Sequence, residues 1–389
     1  MYQRLIQTSA PLNLIISGEW AVLELKYSAV VAAINHRLFC EVEPNPEGQI
    51  EISLLDFNIT NISAKYENEE LVFNESLSQD AQEHLKIIKF TIETALFLLQ
   101  DFKPFKIKTW TEKPASLSSF SETKFGLGSS AAAIVAIHAA IRAFHGLLPS
   151  GVVEKDELFK LCLLTHFIIQ NKSGSGIDIA ASFHGGILRY SRFDPEWLLS
   201  KLEDNFSPED YINLNWPNLS VEPLSQFPEL QLLLGWTQTP ASTAALIDQM
   251  TTFKKQVPST YYTILNEISK LVKDFVKDWK KKNKTRILSN VQLNEIYLRK
   301  LGENSGIPIE TAPLKLLSQI ANELGGAGKL SGAGGGDCGI AICFDDAIAS
   351  QILAEWGPHG IIGAPIQINF DGLIIESITK QTTKILWKK

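Results

Sequence analysis

Ten consecutive residues, Lys124-Phe-Gly-Leu-Gly-Ser-Ser-Ala-Ala-Ala133, set two glycines and two hydroxyls directly before the apolar run Ile134-Val-Ala-Ile-His138. Gly126 and Gly128 admit backbone angles and close approaches that a side chain forbids, so successive N–H groups can converge on an anion. The alanine-rich run predicts a helix over roughly 130–145, with Ser129 or Ser130 as its cap. The unpaired first-turn N–H groups of such a helix, and the positive end of its dipole, favour a phosphate at its mouth. The two hydroxyls can also reach a bound metal ion. A second glycine cluster, Lys329-Leu-Ser-Gly-Ala-Gly-Gly-Gly-Asp337, is the densest in the chain and would let another stretch of backbone approach a ligand closely. Between the two, Gly174-Ser-Gly-Ile-Asp178 places a carboxylate at the start of a predicted helix. It can cap that helix, or orient and deprotonate an acceptor group.

Two common phosphate-binding patterns do not fit. Gly126-Leu-Gly-Ser-Ser-Ala131 satisfies G-x-G-x-x-A, but a polar segment, Ser118-Ser-Phe-Ser-Glu-Thr123, stands where a strand is required. Positions 131–153 also hold no Asp or Glu to bind a ribose, which argues against a dinucleotide-dependent enzyme. The strict P-loop fails because no Gly-Lys-Ser/Thr follows at the required distance.

With 389 residues, 45% of them hydrophobic and 20% charged, the chain is long enough for two globular domains. A net charge of −7 argues against general nucleic-acid binding. No apolar run approaches the roughly 18 residues of a membrane span, and Met1-Tyr-Gln-Arg-Leu-Ile lacks a signal-peptide core, so a cytoplasmic protein with no membrane partner is expected. Cys40, Cys162, Cys338 and Cys343 are far apart in apolar segments, which suits buried thiols better than disulfides or a metal cage.

The elements that must position these motifs can be read from periodicity. Short β-rich runs cover 4–42, including Leu12–Ile16, Trp20–Leu23, Ala29–Ile34 and Leu38–Val42, with a turn at Ser17-Gly18. A further strand is expected at Glu51–Leu55, a loop or weak hairpin over 56–80, a helix over 81–100 and a strand at Phe105–Trp110. Helices follow the cradle at Glu157–Gln170 and Asp178–His184, then a strand through Gly185–Tyr190. These would close a first domain at 1–193, and a proline-rich connector over 194–228 would open a second at 194–389. That second domain would hold a strand at Gln231–Trp236, helices near 242–254, 259–280, 285–301 and 313–324, and a strand at Cys338–Phe344. A helix at 346–356 and a strand at Ile366–Phe370 would complete it.

Three ordered segments, Ala10-Pro-Leu-Asn-Leu-Ile-Ile-Ser-Gly-Glu-Trp-Ala-Val-Leu23, Lys124 to Ala133 and Lys329 to Ile340, resemble the three motifs of the GHMP small-molecule kinases over nearly the whole chain. Within that superfamily, Lys124–Ser130, Gly174–Ala180, Leu234–Thr237 and Ser331–Gly339 look most like the phosphomevalonate kinase branch. Gly185-Gly-Ile-Leu-Arg-Tyr190 is also similar to mevalonate kinases, which makes mevalonate the second candidate acceptor. The resemblance implies an α+β protein with an N-terminal ribosomal-protein-S5-like domain, a C-terminal ferredoxin-like domain and the active site between them. It implies transfer of phosphate from ATP, with Mg²⁺, to a small phosphorylated hydroxy acid, by a monomer or homodimer.

By the same resemblance Lys124, Gly126, Leu127, Gly128, Ser129, Ser130 and Ala131 would hold ATP, Ser130 would ligate Mg²⁺, and Asp178, with Lys124, would serve catalysis. Substrate contacts would come from Ser17, Gly18, Glu19, Lys172, Ser175, Gly176 and Arg189, and from Ser331, Gly332, Ala333, Gly334, Gly335, Gly336 and Asp337. An acidic substrate also makes His36, Arg37 and Arg192 candidate contacts, and Trp110 a candidate wall for adenine. The first motif departs from the family at Leu12-Asn13, where mevalonate-type kinases carry Gly-Lys, and a neutral amide cannot supply the lysine's charge. Phe167 stands where mevalonate kinases place a metal-binding glutamate 11 residues before the aspartate. A catalytically silent ligand sensor of the same fold would tolerate Asn13, while Asp178 argues for catalysis.

Overall fold

The computed structural model describes residues 5–99, 101–112, 127–203, 212–239, 243–336, 338–379 and 382–388. Lys124, Gly126 and Asp337, all named above as site residues, lie outside these.

The first large element is a mixed sheet. Its strands β1 (Leu5–Ser17), β2 (Ala29–Pro44), β3 (Ile50–Leu54), β4 (Ile59–Glu67), β5 (Glu70–Phe73) and β6 (Phe105–Glu112) come from the N-terminal part of the chain. Helices α1 (Gln79–Phe97), α2 (Ser129–Phe144), α3 (Val152–Ile169) and α4 (Ile177–His184) pack with it, and β7 (Ile187–Ser191), α5 (Pro195–Glu203) and β8 (Ser220–Leu224) follow. The second sheet is antiparallel, in the order β10 (Ala327–Leu330), β11 (Cys338–Cys343), β9 (Gln231–Trp236), β12 (Ile362–Ile366). Helices Ala312–Glu323 and Asp346–Trp356 cover it, and the long pair Pro258–Lys280 and Lys284–Ser305 packs beside it.

The chain ends by returning to the first sheet. β13 (Ile374–Ile378) pairs antiparallel with β1, and β14 (Thr383–Lys388) pairs with β13. With β8 on β7, a division at residues 193/194 therefore leaves three strands of the large sheet on the C-terminal side of the cut. The α+β architecture of two sheets with a cleft between them agrees with expectation.

Helix α2 is the pillar of the first unit. Every residue from Ala131 to Ile141 is buried, because β1, β2, α1, α3 and α4 surround it. An all-round apolar sequence is what such a site requires. Its one interior titratable group, His138, is bonded through Nε2 to Thr165 Oγ1 at 2.9 Å, and burial lowers its pKa to about 3. The four cysteines are buried free thiols, as expected.

Candidate active site

The two motifs nearest the chemistry meet at the head of α2. Asn13 N donates to Leu127 O at 2.9 Å, which docks the cradle loop on β1. Gly128, at φ 76° and ψ 24°, is the N-cap, and no side chain caps the helix. This corrects the expectation that Ser129 or Ser130 does so. Both serines lie inside the first turn, half-buried, with their hydroxyls uncommitted to a cap. A Cβ at position 128 would lie 2.1 Å from Asn13 Nδ2, so glycine is required here by contact as well as by angle. Asn13 is 3% exposed, and among the described residues its Nδ2 has no hydrogen-bond partner. A buried donor left so is uncommon and points to a group that completes it.

Two cavities open on this helix end. One of about 300 Å³ has mainly apolar walls, including Leu38, Leu54, Phe57 and Ile88, together with His36 and Leu127. The other, of about 440 Å³, lies between the two sheets' units. From the first unit it takes Glu19, Gly174, Ser175 and Asp178, and from the second Thr243, Ile247 and Ser331–Gly334. Ser129 and Ser130 line both cavities. Helix α2 therefore presents its N-terminus to two spaces at once.

Asp178 occupies the first turn of α4, whose N-cap is Gly176, so the aspartate is not the cap. Burial pushes its carboxyl up to about 6, and its own backbone N–H opposes this. A carboxylate held near neutrality in a cleft is suited to taking or orienting a proton.

The second glycine segment is fastened from both sides. Ser331 Oγ accepts from Ile15 N at 3.0 Å and donates to Ile15 O at 3.1 Å, so its hydroxyl stitches this segment to β1. Gly335 N donates to Ile309 O at 2.9 Å, and a Cβ on Gly334, at φ 82°, would lie 2.2 Å from that oxygen. Gly332, Ala333 and Gly334 reach the larger cavity, whereas Gly335 and Gly336 are not part of its lining.

Several expected substrate residues do other work. Ser17 Oγ and Gly18 N both donate to Asn294 Oδ1, at 2.8 and 3.1 Å, behind the cavity wall. Glu19 does reach the cavity, but it is paired with the buried Lys329. Lys172 is exposed outside the lining, and Arg189 bonds Ser28 and Glu222. Arg192 holds Leu23 O and Gly174 O, Arg37 holds Ser9 and Gly372, and Trp110 stacks on Phe39 with centroids 5.3 Å apart. Gly176 supports α4 without lining either cavity, while Ala131 lines the larger one. Among its described lining residues the larger cavity has no Lys or Arg.

Reading the sequence missed Trp20, His166 and Gln170, all in the wall of that cavity. Trp20 stands at φ 63°, ψ −45°, a strained conformation for a bulky side chain that costs on the order of 1–3 kcal/mol. His166 and Gln170, four apart on the last turns of α3, gave no signal beyond polar residues in an apolar run.

Comparison with known proteins agrees with this geometry. The family model described as GHMP kinases N terminal domain matches residues 85–186, and that for GHMP kinases C terminal matches 287–361. The chain is 30% identical over 382 residues to a phosphomevalonate kinase of Streptomyces sp. (strain CL190), covering 95% of this chain and 99% of that one. It is 28% identical over 384 residues to a mevalonate kinase of Pyrococcus furiosus, covering 96% and 98%. Among solved structures, the Lin0012 protein from Listeria innocua superposes with a TM-score of 0.83 at 31% identity, covering 96% and 99% of the two chains. The Streptococcus pneumoniae phosphomevalonate kinase in complex with phosphomevalonate and AMPPNP has a TM-score of 0.75 at 22% identity, covering 93% and 99%, and shares the fold.

Proposed function

The chain belongs to the GHMP kinases, and from that premise we propose that it transfers the γ-phosphoryl group of ATP to 5-phosphomevalonate, giving 5-diphosphomevalonate and ADP. The observation that carries this reading is the pair of cavities sharing Ser129 and Ser130 at the head of α2. The apolar cavity suits a nucleotide base, and the helix end suits its phosphates. The larger cavity, with Asp178 in its wall, suits the acceptor. Transfer then needs the acceptor oxygen in line with the γ-phosphorus. That oxygen forms the new P–O bond as the bond to the β-phosphate oxygen breaks and ADP departs.

Asp178 orients the acceptor phosphate and holds its proton if it arrives protonated. Ser129, Ser130 and the first-turn N–H groups of α2 receive the nucleotide phosphates, and the orphaned Asn13 amide supplies a neutral donor beneath them. The Asn13 donor, packed where a Cβ on Gly128 would stand and without a partner among the described residues, fits a phosphate oxygen. Ser130 Oγ would hold Mg²⁺ together with those phosphates, and the ion would supply charge neutralisation for the transferred group. Lys124 would add a cation from the same loop.

A second reading takes mevalonate as acceptor. It is favoured by the lack of Lys and Arg among the described lining residues, since mevalonate carries one anionic group fewer. A coupled ADP-release assay over mevalonate, phosphomevalonate, diphosphomevalonate, homoserine and galactose decides between them. Phosphomevalonate should give the highest kcat/KM. Preference for mevalonate transfers the reading to that acceptor, and ATP binding without any turnover points to a silent sensor.

A further inference from the structure

The larger cavity has two buried nitrogen donors in its wall with nothing to bond among the described residues, Trp20 Nε1 and His166 Nδ1. Trp20 is 4% exposed and His166 3%. The tautomer of His166 follows from its neighbour: Gln170 Nε2, a donor, lies 2.8 Å from His166 Nε2, which must accept, so the ring proton is assigned to Nδ1. Burial lowers the pKa of this imidazole to about 4, so it stays neutral through the physiological range. Trp20 is held in its left-handed backbone conformation at the start of the short helix Ala21–Leu23, directly after Glu19. Strain and an unpaired donor at one residue in a cavity wall point to a ligand group that is received there.

We propose that the Trp20 indole N–H and the His166 Nδ1–H form a neutral subsite for the carboxylate of the acceptor, the anionic group that does not react. This rests on the reading of an acidic acceptor given above, and holds for phosphomevalonate and mevalonate alike. The reacting end of the acceptor must approach Ser129 and Ser130, where the nucleotide phosphates arrive, so its carboxylate needs partners elsewhere in the wall. With no described Lys or Arg in that wall and Ser331 spent on Ile15, these two are the buried side-chain nitrogen donors there that lack a partner among the described residues. Neutral donors read a carboxylate without adding a charge that would need burial when the site is empty.

The test compares the acceptor acid with its methyl ester in the intact enzyme, and measures KM for acceptor and for ATP in Trp20→Phe and His166→Leu. Wild type should favour the acid at least about tenfold, and each variant should raise the acceptor KM about tenfold while leaving the KM for ATP within about twofold. Thermal melting shows which variants are folded, and the acid-to-ester ratio of wild type stands even if one variant is lost. Equal use of acid and ester, or an unchanged acceptor KM in a folded variant, overturns this inference and leaves the kinase reading intact. Turnover of no acid acceptor by wild type that still binds ATP overturns both.

Discussion

Glu19 and Lys329, 310 residues apart, meet as an ion pair with side chains 1% and 0% exposed, joining the turn after β1 to strand β10. Asn294 continues the junction, bonding Ser17 and Gly18 through Oδ1 and reaching Glu19 Oε2 through Nδ2 at 3.5 Å. The pair stands at the wall of the larger cavity, to which both units contribute. Burial raises the pKa of Glu19 and lowers that of Lys329, while each partner's charge works against that shift.

Lys329→Met should therefore destabilise the protein by about 3–5 kcal/mol, because it leaves Glu19 buried without its counter-charge. Adding Glu19→Gln should recover most of that loss. Urea denaturation of the three variants checks it, and a double variant no more stable than Lys329→Met would show that the pair's charge is not what matters.

Asp178 sets a pH signature in both stability and rate. Its folded pKa, about 6, lies above the ordinary 3.8, so the fold favours the protonated acid. That contribution is complete below about pH 4 and lost as pH rises through about 6. Asp178→Asn should match wild-type stability at pH 4 and exceed it above pH 6, by at most about 3 kcal/mol. In wild type, kcat/KM should fall as pH drops below about 6, as the carboxylate takes up a proton. An acid limb near pH 4, with no stability difference at pH 7, would mean that the carboxyl is ordinary.

Gly128→Ala should cost at least about 1–2 kcal/mol, since alanine must adopt a left-handed angle. The cost should be higher because its Cβ would meet Asn13 Nδ2 at 2.1 Å. Asn13→Leu separates packing from chemistry. Removing an unpaired buried donor should leave the melting temperature unchanged or raised, yet lower kcat at least about tenfold if that amide meets a phosphoryl oxygen. Full activity in Asn13→Leu would reduce Asn13 to a spacer under the glycine loop.

Ser130→Ala removes no helix cap, because Gly128 fills that position without side-chain help. Its stability should stay within about 0.5 kcal/mol of wild type, while the KM for ATP at limiting Mg²⁺ rises severalfold. Titration of Mg²⁺ at fixed ATP reads this directly, and superimposable curves would exclude Ser130 as a ligand.

Where the sequence was legible, a single period or motif carried the information. Helices Gln79–Phe97 and Pro258–Lys280 show apolar spacing that is decided locally, and their extents lie within a few residues of expectation. Trp20–Leu23 reads as strand by its residue types, but is a left-handed residue followed by a 3₁₀ turn, because the cavity wall overrides propensity there. The strands β13 and β14 close the chain onto β1, a pairing across more than 350 residues that no local pattern announces. The glycine run was visible, yet Lys329 within it was not recognisable as the partner of Glu19, since ion pairing between distant segments leaves no spacing to read. Likewise Arg37, Arg189 and Arg192 looked available to an acidic substrate, and only their backbone and carboxylate partners reveal them as structural ties.

The central claim is that phosphoryl transfer takes place at the shared end of the two cavities with Asp178 orienting the acceptor, and single-turnover kcat of Asp178→Asn on the preferred acceptor tests it most directly. Asparagine keeps the size of the side chain and removes its charge. The expected result is a fall of at least about 10²-fold in the transfer step, with ATP binding and folding retained. A rate within a few-fold of wild type would contradict the account and place the chemistry away from this carboxylate.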